Sequence, residues 1–238
     1  MPGSYVQQKA ASSVAAGTSI SAAAINIAAG DELILIVTYS GTVTTVTPFT
    51  GYGTFVEDTT IAHNTGGVNM NFFYLDSVNN IGGSFAPSVT FGASVTRRGF
   101  VLIDLMGVDH YIGGVSPGYI VSPGAGADAI SSGNFNVNSA PNYVFAMAWN
   151  QTDHSGGSGQ APNIGSLSNA QFTQQFITWA FGDTTGNMEA MDGRAITNGN
   201  QAATWTAKAG GTTDTYSAHE LIFAEQAVSI VLMGQNMY

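Results

Sequence analysis

The sequence predicts an all-β protein folded as a single β-sandwich, and three observations predict it. Runs of β-forming residues recur every ~8–15 residues with turn residues between them, the spacing of sandwich strands. Several of those runs are apolar at every position, which a strand requires only when both its faces are covered. Helical signals are weak: Gln7 to Ala16 (QQKAASSVAA) has alanines for two turns but no apolar stripe, and Ser168 to Phe176 has room for a short helix at most.

Taken in chain order, Thr18 to Ile27 alternates loosely, and Gly30-Asp31 marks a turn. Glu32 to Ser40 (ELILIVTYS) reads as a central strand, and Thr42 to Thr47 as a Thr/Val strand. Asn69 to Asp76 (NMNFFYLD) is aromatic-rich, and Pro87 to Phe91 carries Val89 and Phe91 on one face. Arg98 to Met106, Tyr143 to Trp149 and Phe176 to Phe181 are further buried runs. Ala203 to Ala207 centres on Trp205, and Ser217 to Ala224 closes the body of the domain. Ser229 to Met233 stands apart near the C-terminus. Two polar, Gly/Pro-bearing stretches, Gly107 to Asp128 and Asn150 to Asn169, read as loops long enough to carry function. No tandem repeat of fixed period is visible. The expected organisation is an N-terminal arm over 1–17, a sandwich over 18–226 and a C-terminal strand or tail over 227–238.

Only 8% of the residues are charged, and five cations (Lys9, Arg97, Arg98, Arg194, Lys208) face fifteen acids, a net charge of −10. Phosphate backbones are bound by many Lys and Arg side chains, and anionic lipid by basic clusters, so nucleic-acid and lipid-surface partners are excluded. No stretch approaches the ~20 apolar residues of a membrane span. The 44% hydrophobic content supports a packed core, and the absence of cysteine removes disulfides, thiolate metal sites and thiol catalysis together. The surface is therefore built from Gly, Ser, Thr, Asn and Gln, which suits contact with sugars or with other protein surfaces. The Met1-Pro-Gly-Ser-Tyr start has no basic and apolar signal pattern. The expectation is synthesis in a host cytoplasm and exit inside an assembly such as a virion.

The order Gly30-Asp31-Glu32-Leu33-Ile34-Leu35-Ile36-Val37, then Phe72-Phe73-Tyr74-Leu75, Gly82-Gly83, Val89-Thr90-Phe91, Phe100-Val-Leu-Ile-Asp104-Leu-Met-Gly107-Val108-Asp109 and Tyr143-Val-Phe-Ala-Met-Ala-Trp149 resembles jelly-roll-type β-sandwich modules. Such modules occur in phage particle proteins and in extracellular bacterial adhesive or carbohydrate-binding proteins. The resemblance spans 18–226. It implies a jelly-roll-like sandwich and a non-enzymatic role as a virion structural protein: a capsid decoration, a spike, or a fibre or tail head. Its partners would be copies of itself and other virion proteins. The alternative it implies is a lectin-like module that holds a surface glycan through loop aromatics.

Residue chemistry was weighed against both roles. Gly114-Val-Ser116-Pro-Gly118 matches the G-x-S-x-G pattern of serine hydrolases, but Pro117 supplies no N–H for an oxyanion and no helix former follows. His63, His110, His154 and His219 form no zinc motif, and no pair of carboxylates is singled out for sugar cleavage. Asp104 is unusual inside an apolar strand, with Arg97 or Arg98 as candidate partners. Asp183, Asn187, Glu189 and Asp192 cluster after Phe181 as oxygen donors of the kind calcium takes, without the calcium-loop spacing; no cofactor is expected, and calcium is the ion to test first. Tyr52, Tyr111, Tyr119 and Trp205 are the candidate sugar-stacking aromatics. Trp149 and Trp179 lie in apolar strands and are expected in the core. Finally, the N-terminal arm (Ser12 to Ala29) and Ser229–Met233 would present β edges with almost no charge to protect them. Another subunit would cover such edges unless they pair within their own sandwich.

Overall fold

The computed structural model describes residues 3–61, 63–65, 68–78, 83–116, 119–122, 129–150, 163–167, 170–179, 188–206 and 214–226; for 63–65, 68, 119–122, 163–167, 170–179, 188–189 and 214–215 the description covers the backbone. Every regular element among them is a strand. The first half of the chain forms β1 (Ser4–Ser13), β2 (Gly17–Ser21), β3 (Ile25–Asn26), β4 (Glu32–Ser40), β5 (Val46–Pro48), β6 (Val56–Glu57), β7 (His63–Thr65), β8 (Val68–Leu75), β9 (Ser84–Phe85) and β10 (Ser88–Met106). The second half forms β11 (Val108–Val115), β12 (Tyr119–Ser122), β13 (Ala129–Ser131), β14 (Phe135–Val137), β15 (Asn142–Asn150), β16 (Asn163–Leu167), β17 (Ala170–Trp179), β18 (Met188–Ala195), β19 (Gly199–Gln201), β20 (Ala203–Thr206) and β21 (Asp214–Glu225).

Two antiparallel sheets face each other, and each comes from one half. The first runs β1-β10-β4-β8-β6 and the second β11-β21-β15-β18-β17. In both, the earliest strand of the half lies at an edge, the last strand lies next to it, and the intervening strands follow outward. The sequence has no visible repeat, yet the topology repeats. Successive strands remain in one sheet and do not alternate between the two, so this order lends no support to a jelly-roll winding within the sandwich.

The inner faces of the two sheets share one core. Ile34, Ile36, Phe72, Val101 and Ile103 of the first pack against Tyr143, Phe145, Met147, Leu221 and Phe223 of the second. Antiparallel sheets commonly leave their other face wet; here both outer faces are roofed. Ile20, Ile27, Tyr52, Val89 and Phe91 close over Leu33, Leu35, Phe73 and Leu102. Ile130, Val137 and Trp205 close over Val144, Ala146, Tyr216 and Ile222. This explains the unbroken apolar runs: β4 is buried at all but its last residue and β15 along its whole length.

β10 turns the corner between roof and sheet. Its first part pairs with β2 and β5; Thr96 already opposes Ser40 of β4, and after a register shift between Thr96 and Gly99 the strand continues against β4, with β1 paired from Arg98 on. Arg97 takes φ of 46° there, as expected of a bulge that re-aims a strand. Beside it, Arg98 donates from Nε to the Ser19 carbonyl at 2.9 Å and from Nη1 to the Ala15 carbonyl, holding the β1–β2 connection. Gly107, at φ of 73°, carries the chain from the first sheet to the second, a conformation that glycine adopts without steric cost.

Three expectations are corrected. The N-terminal segment is not an arm outside the sandwich: Ser4–Ser13 is a strand of the first sheet, paired with β10 from Met106 back to Arg98 with one register shift between Tyr5 and Gln7. The stretch after Gly107 is not a loop throughout, since β11 and β12 both pair with β21. Asp104 meets neither Arg97 nor Arg98; Gln7 Nε2 donates to its Oδ2 at 2.8 Å. The segment 227–238, with Ser229–Met233, lies outside the described residues.

Candidate functional site

The site with the most chemistry lies where the open edge of the first sheet meets β11. β6 pairs Val56 with Tyr74 and Glu57 with Phe73. The chain then leaves the ladder through an Asx turn, a habit of Asp before short polar residues. Asp58 Oδ1 accepts from the Thr60 backbone N–H at 2.8 Å and from its hydroxyl at 2.6 Å. From the other sheet, β11 lays Tyr111 across this turn. The Tyr111 N–H donates to Asp76 Oδ1 at 3.0 Å, and its hydroxyl donates to Asp58 Oδ2 at 2.6 Å. Its ring sits 4.5 Å from that of Tyr74 and 5.3 Å from that of Phe223. Tyr111 is therefore pinned at both ends and flanked by rings.

An open cleft of about 430 Å³ lies against these groups, with Glu57, Asp58, Thr59 and Thr60 on one side and Tyr74, Tyr111 and Ile112 on the other. Among the described residues no Lys or Arg lines it. Burial acts to raise the Asp58 carboxyl, but the hydrogen bonds from Thr60 and Tyr111 outweigh it and hold the group below its ordinary value. Burial, then the Asp58 carboxylate, pushes the Tyr111 hydroxyl far up; Tyr74 is raised by burial and then by Asp76 and Asp58. At neutral pH the cleft thus holds neutral tyrosines beside an ionised Asp58. A second cleft of about 310 Å³ lies beyond Glu57, lined by Tyr39, Asn71 and the Val43–Thr47 segment. Asn71 Nδ2 donates to Glu57 Oε1 at 2.6 Å, so Glu57 borders both clefts.

Three buried carboxyls lie elsewhere. Burial pushes Glu32 up to about 9, helped by the facing Asp76, while the Ser77 N–H donates to its Oε1 at 2.9 Å. Burial pushes Asp104 up to about 7, against the Gln7 amide and with the added push of Asp31. Glu220 rises to about 7 by burial, although the Ser132 hydroxyl donates to it at 2.9 Å. All three are held closer to neutrality by the sandwich than water would hold them.

Of the sequence-predicted aromatics whose side chains are described, Tyr111 alone lines a described cleft. Tyr52 is 1% exposed, its hydroxyl donating to the Ile25 carbonyl and its ring edge-on between Phe49 and Phe85. Trp205 is 2% exposed and lies in the roof of the second sheet. Both are core residues and are withdrawn from any surface platform. Tyr119 is in β12 opposite Ser217, and its side chain is outside the description. Of the oxygen cluster, Asp183 and Asn187 lie outside the described residues, and Glu189 is described by its backbone in β18, opposite Ala148 and Thr178. Asp192 is not in a loop: it is buried in β18 and accepts from the Tyr143 hydroxyl at 2.9 Å. Among the described residues no three His, Asp or Glu side chains are grouped to hold a metal. His219 is buried with its ring 4.7 Å from that of Phe72, and the Asp109–His110 contact of 3.0 Å lies in solvent. Gly114 and Val115 end β11, with no helix described after them.

No family model, curated protein or solved structure matches this chain. The site therefore stands on its own geometry. Sequence reading named Glu57 and Asp58 as available carboxylates without singling them out, and missed Thr60 and Tyr74. The Asp-Thr-Thr turn signature was available; Tyr74 was hidden in an aromatic run that reads as core.

Proposed function

We propose that the chain is a non-enzymatic structural protein of a phage-like particle, a decoration, spike or fibre head that assembles through its β edges. The observation that carries this reading is β1. It is a ten-residue strand at the edge of its sheet, paired with β10 alone among the described strands, and Lys9 is its single charge. Edge strands are ordinarily guarded by charge, proline or a covering element; a bulge between Tyr5 and Gln7 is the guard present here. Val6 and Val14, 42% and 58% exposed, lie on and just beyond this strand. The particle setting rests on the resemblance of the strand and turn order to virion sandwich modules.

Light scattering across a dilution series tests the reading. The expected result is a discrete oligomer that Val6→Lys with Val14→Lys reduces to a monomer at unchanged melting temperature. A wild-type chain that is monomeric at every concentration overturns it.

A second reading, a lectin-like adhesin, is favoured by the Tyr74–Tyr111 cleft, which joins tyrosine rings, hydroxyls and a fixed carboxylate, with no Lys or Arg among the described residues that line it. A glycan-bearing surface is then the partner.

A further inference from the structure

We infer that the two clefts on either side of Glu57 form adjoining subsites for a neutral oligosaccharide; this rests on the lectin-like reading and gives it a location and a ligand class. Four features carry it. The clefts share one residue, Glu57, and among the described residues no cation lines either. On a chain of net charge −10, a sialylated or sulfated glycan would meet repulsion without a counter-charge. The polar groups on offer are threonine hydroxyls, an asparagine amide and carboxylate oxygens, which match ligand hydroxyls. Tyr74 and Tyr111 also line the first cleft and bring aromatic carbon beside those polar groups.

The groups are also fixed before any ligand arrives. Asp58 is held by Thr60 and Tyr111, and Glu57 Oε1 by Asn71. Glu57 Oε2 is left to accept from a ligand, with no donor among the described residues. Preorganisation of this kind lowers the ordering cost of binding. The volumes, about 310 and 430 Å³, fall in the ~300–1,000 Å³ range of small-molecule sites. A cationic peptide is the rival ligand for an acidic cleft. It would gain less here, because Asp58 already accepts three hydrogen bonds within the protein.

The test is a glycan array holding neutral, sialylated and sulfated oligosaccharides and a Lys/Arg-rich peptide, followed by calorimetry with neutral oligosaccharides of increasing length. The expected result is selective binding of neutral glycans, tightening with length until both clefts are filled. Glu57→Gln and Tyr74→Ala should each weaken binding by roughly tenfold or more, the loss of about one charge-assisted hydrogen bond or ring contact. Thr47→Val, in the second cleft, should weaken the longer ligands and spare the monosaccharide. Glu57 and Thr47 are exposed, so those two variants keep the fold and stand if Tyr74→Ala fails to fold. Silence of the wild-type chain on every glycan overturns this inference together with the lectin-like reading. Glycan binding that survives Glu57→Gln and Thr47→Val within twofold overturns the inference and leaves that reading in place. Preference for anionic glycans or for the basic peptide also overturns it.

Discussion

At the scale of single residues, the sandwich spends its few charges in unusual places. Asp58 is stabilised as an anion by three donors, one of them the Tyr111 hydroxyl. Tyr111→Phe removes that donor and leaves Oδ2 without its partner. Chemical denaturation should then show a loss of about 1–3 kcal/mol, the cost of a hydrogen bond to a charged group. The Asp58 carboxyl should also titrate at higher pH. Asp104 behaves in the opposite sense, lifted to about 7 by burial. Asp104→Asn keeps an acceptor for Gln7 and removes the ionisation, so it should leave stability near pH 3 little changed and raise it progressively above pH 4, most at pH 7 and beyond. The oddity of Asp104 was legible in the sequence because a lone acid interrupts an apolar run; its partner was not, because Gln7 comes from a strand 97 positions away. Tyr52 misled for a related reason. Gly51 and Gly53 mark a turn, and a turn does not disclose which way its aromatic points.

At the scale of elements, legibility followed burial. β4 and β15 and the later part of β10 were readable because two covered faces demand apolar residues at every position. β11 was read as loop: it carries Gly113 and Gly114 and breaks register twice against β21, and a bulged strand loses the period-two signal. β1 was read as an arm because Gln, Ala and Ser in its middle show no alternation; its strand state is imposed by β10. The link at Gly107 belongs to this scale too. Its φ of 73° is open to glycine and strained for a β-branched residue. Gly107→Val should cost about 1–2 kcal/mol, read as a lowered denaturation midpoint with an unchanged slope.

At the scale of the whole molecule, the raised carboxyls act together. Asp31, Glu32, Asp104, Asp192 and Glu220 all lie above their ordinary values in the fold. A group raised by folding holds its proton in the native state after the unfolded chain has released it. Its stabilising contribution is therefore complete below the unfolded value and disappears as pH rises through the folded one. The window opens near pH 4, where unfolded carboxylates titrate. It closes at about 7 for Asp104 and Glu220 and about 9 for Glu32. Asp58, lowered by its hydrogen bonds, works in the opposite direction at the acid end. Melting temperatures should thus be highest in mildly acidic buffer and fall steadily from pH 5 to pH 9. A flat or rising profile over that range would contradict the burial of these groups.

On the ribosome, the division of the chain at Gly107 separates the two sheets in time. Every described strand of the first sheet has been translated once Met106 is made, whereas β21, which lies beside β15 at the centre of the second, comes last among the described strands. At ~5–20 residues per second, the nascent first sheet displays Ile34, Ile36, Phe72, Val101 and Ile103 for on the order of ten seconds before their opposing face exists. Neighbouring ribosomes on one message display the same face at the same moment. Until the opposing face exists, the inner face of a nascent first sheet is open to any apolar surface, its own second sheet or one on another copy.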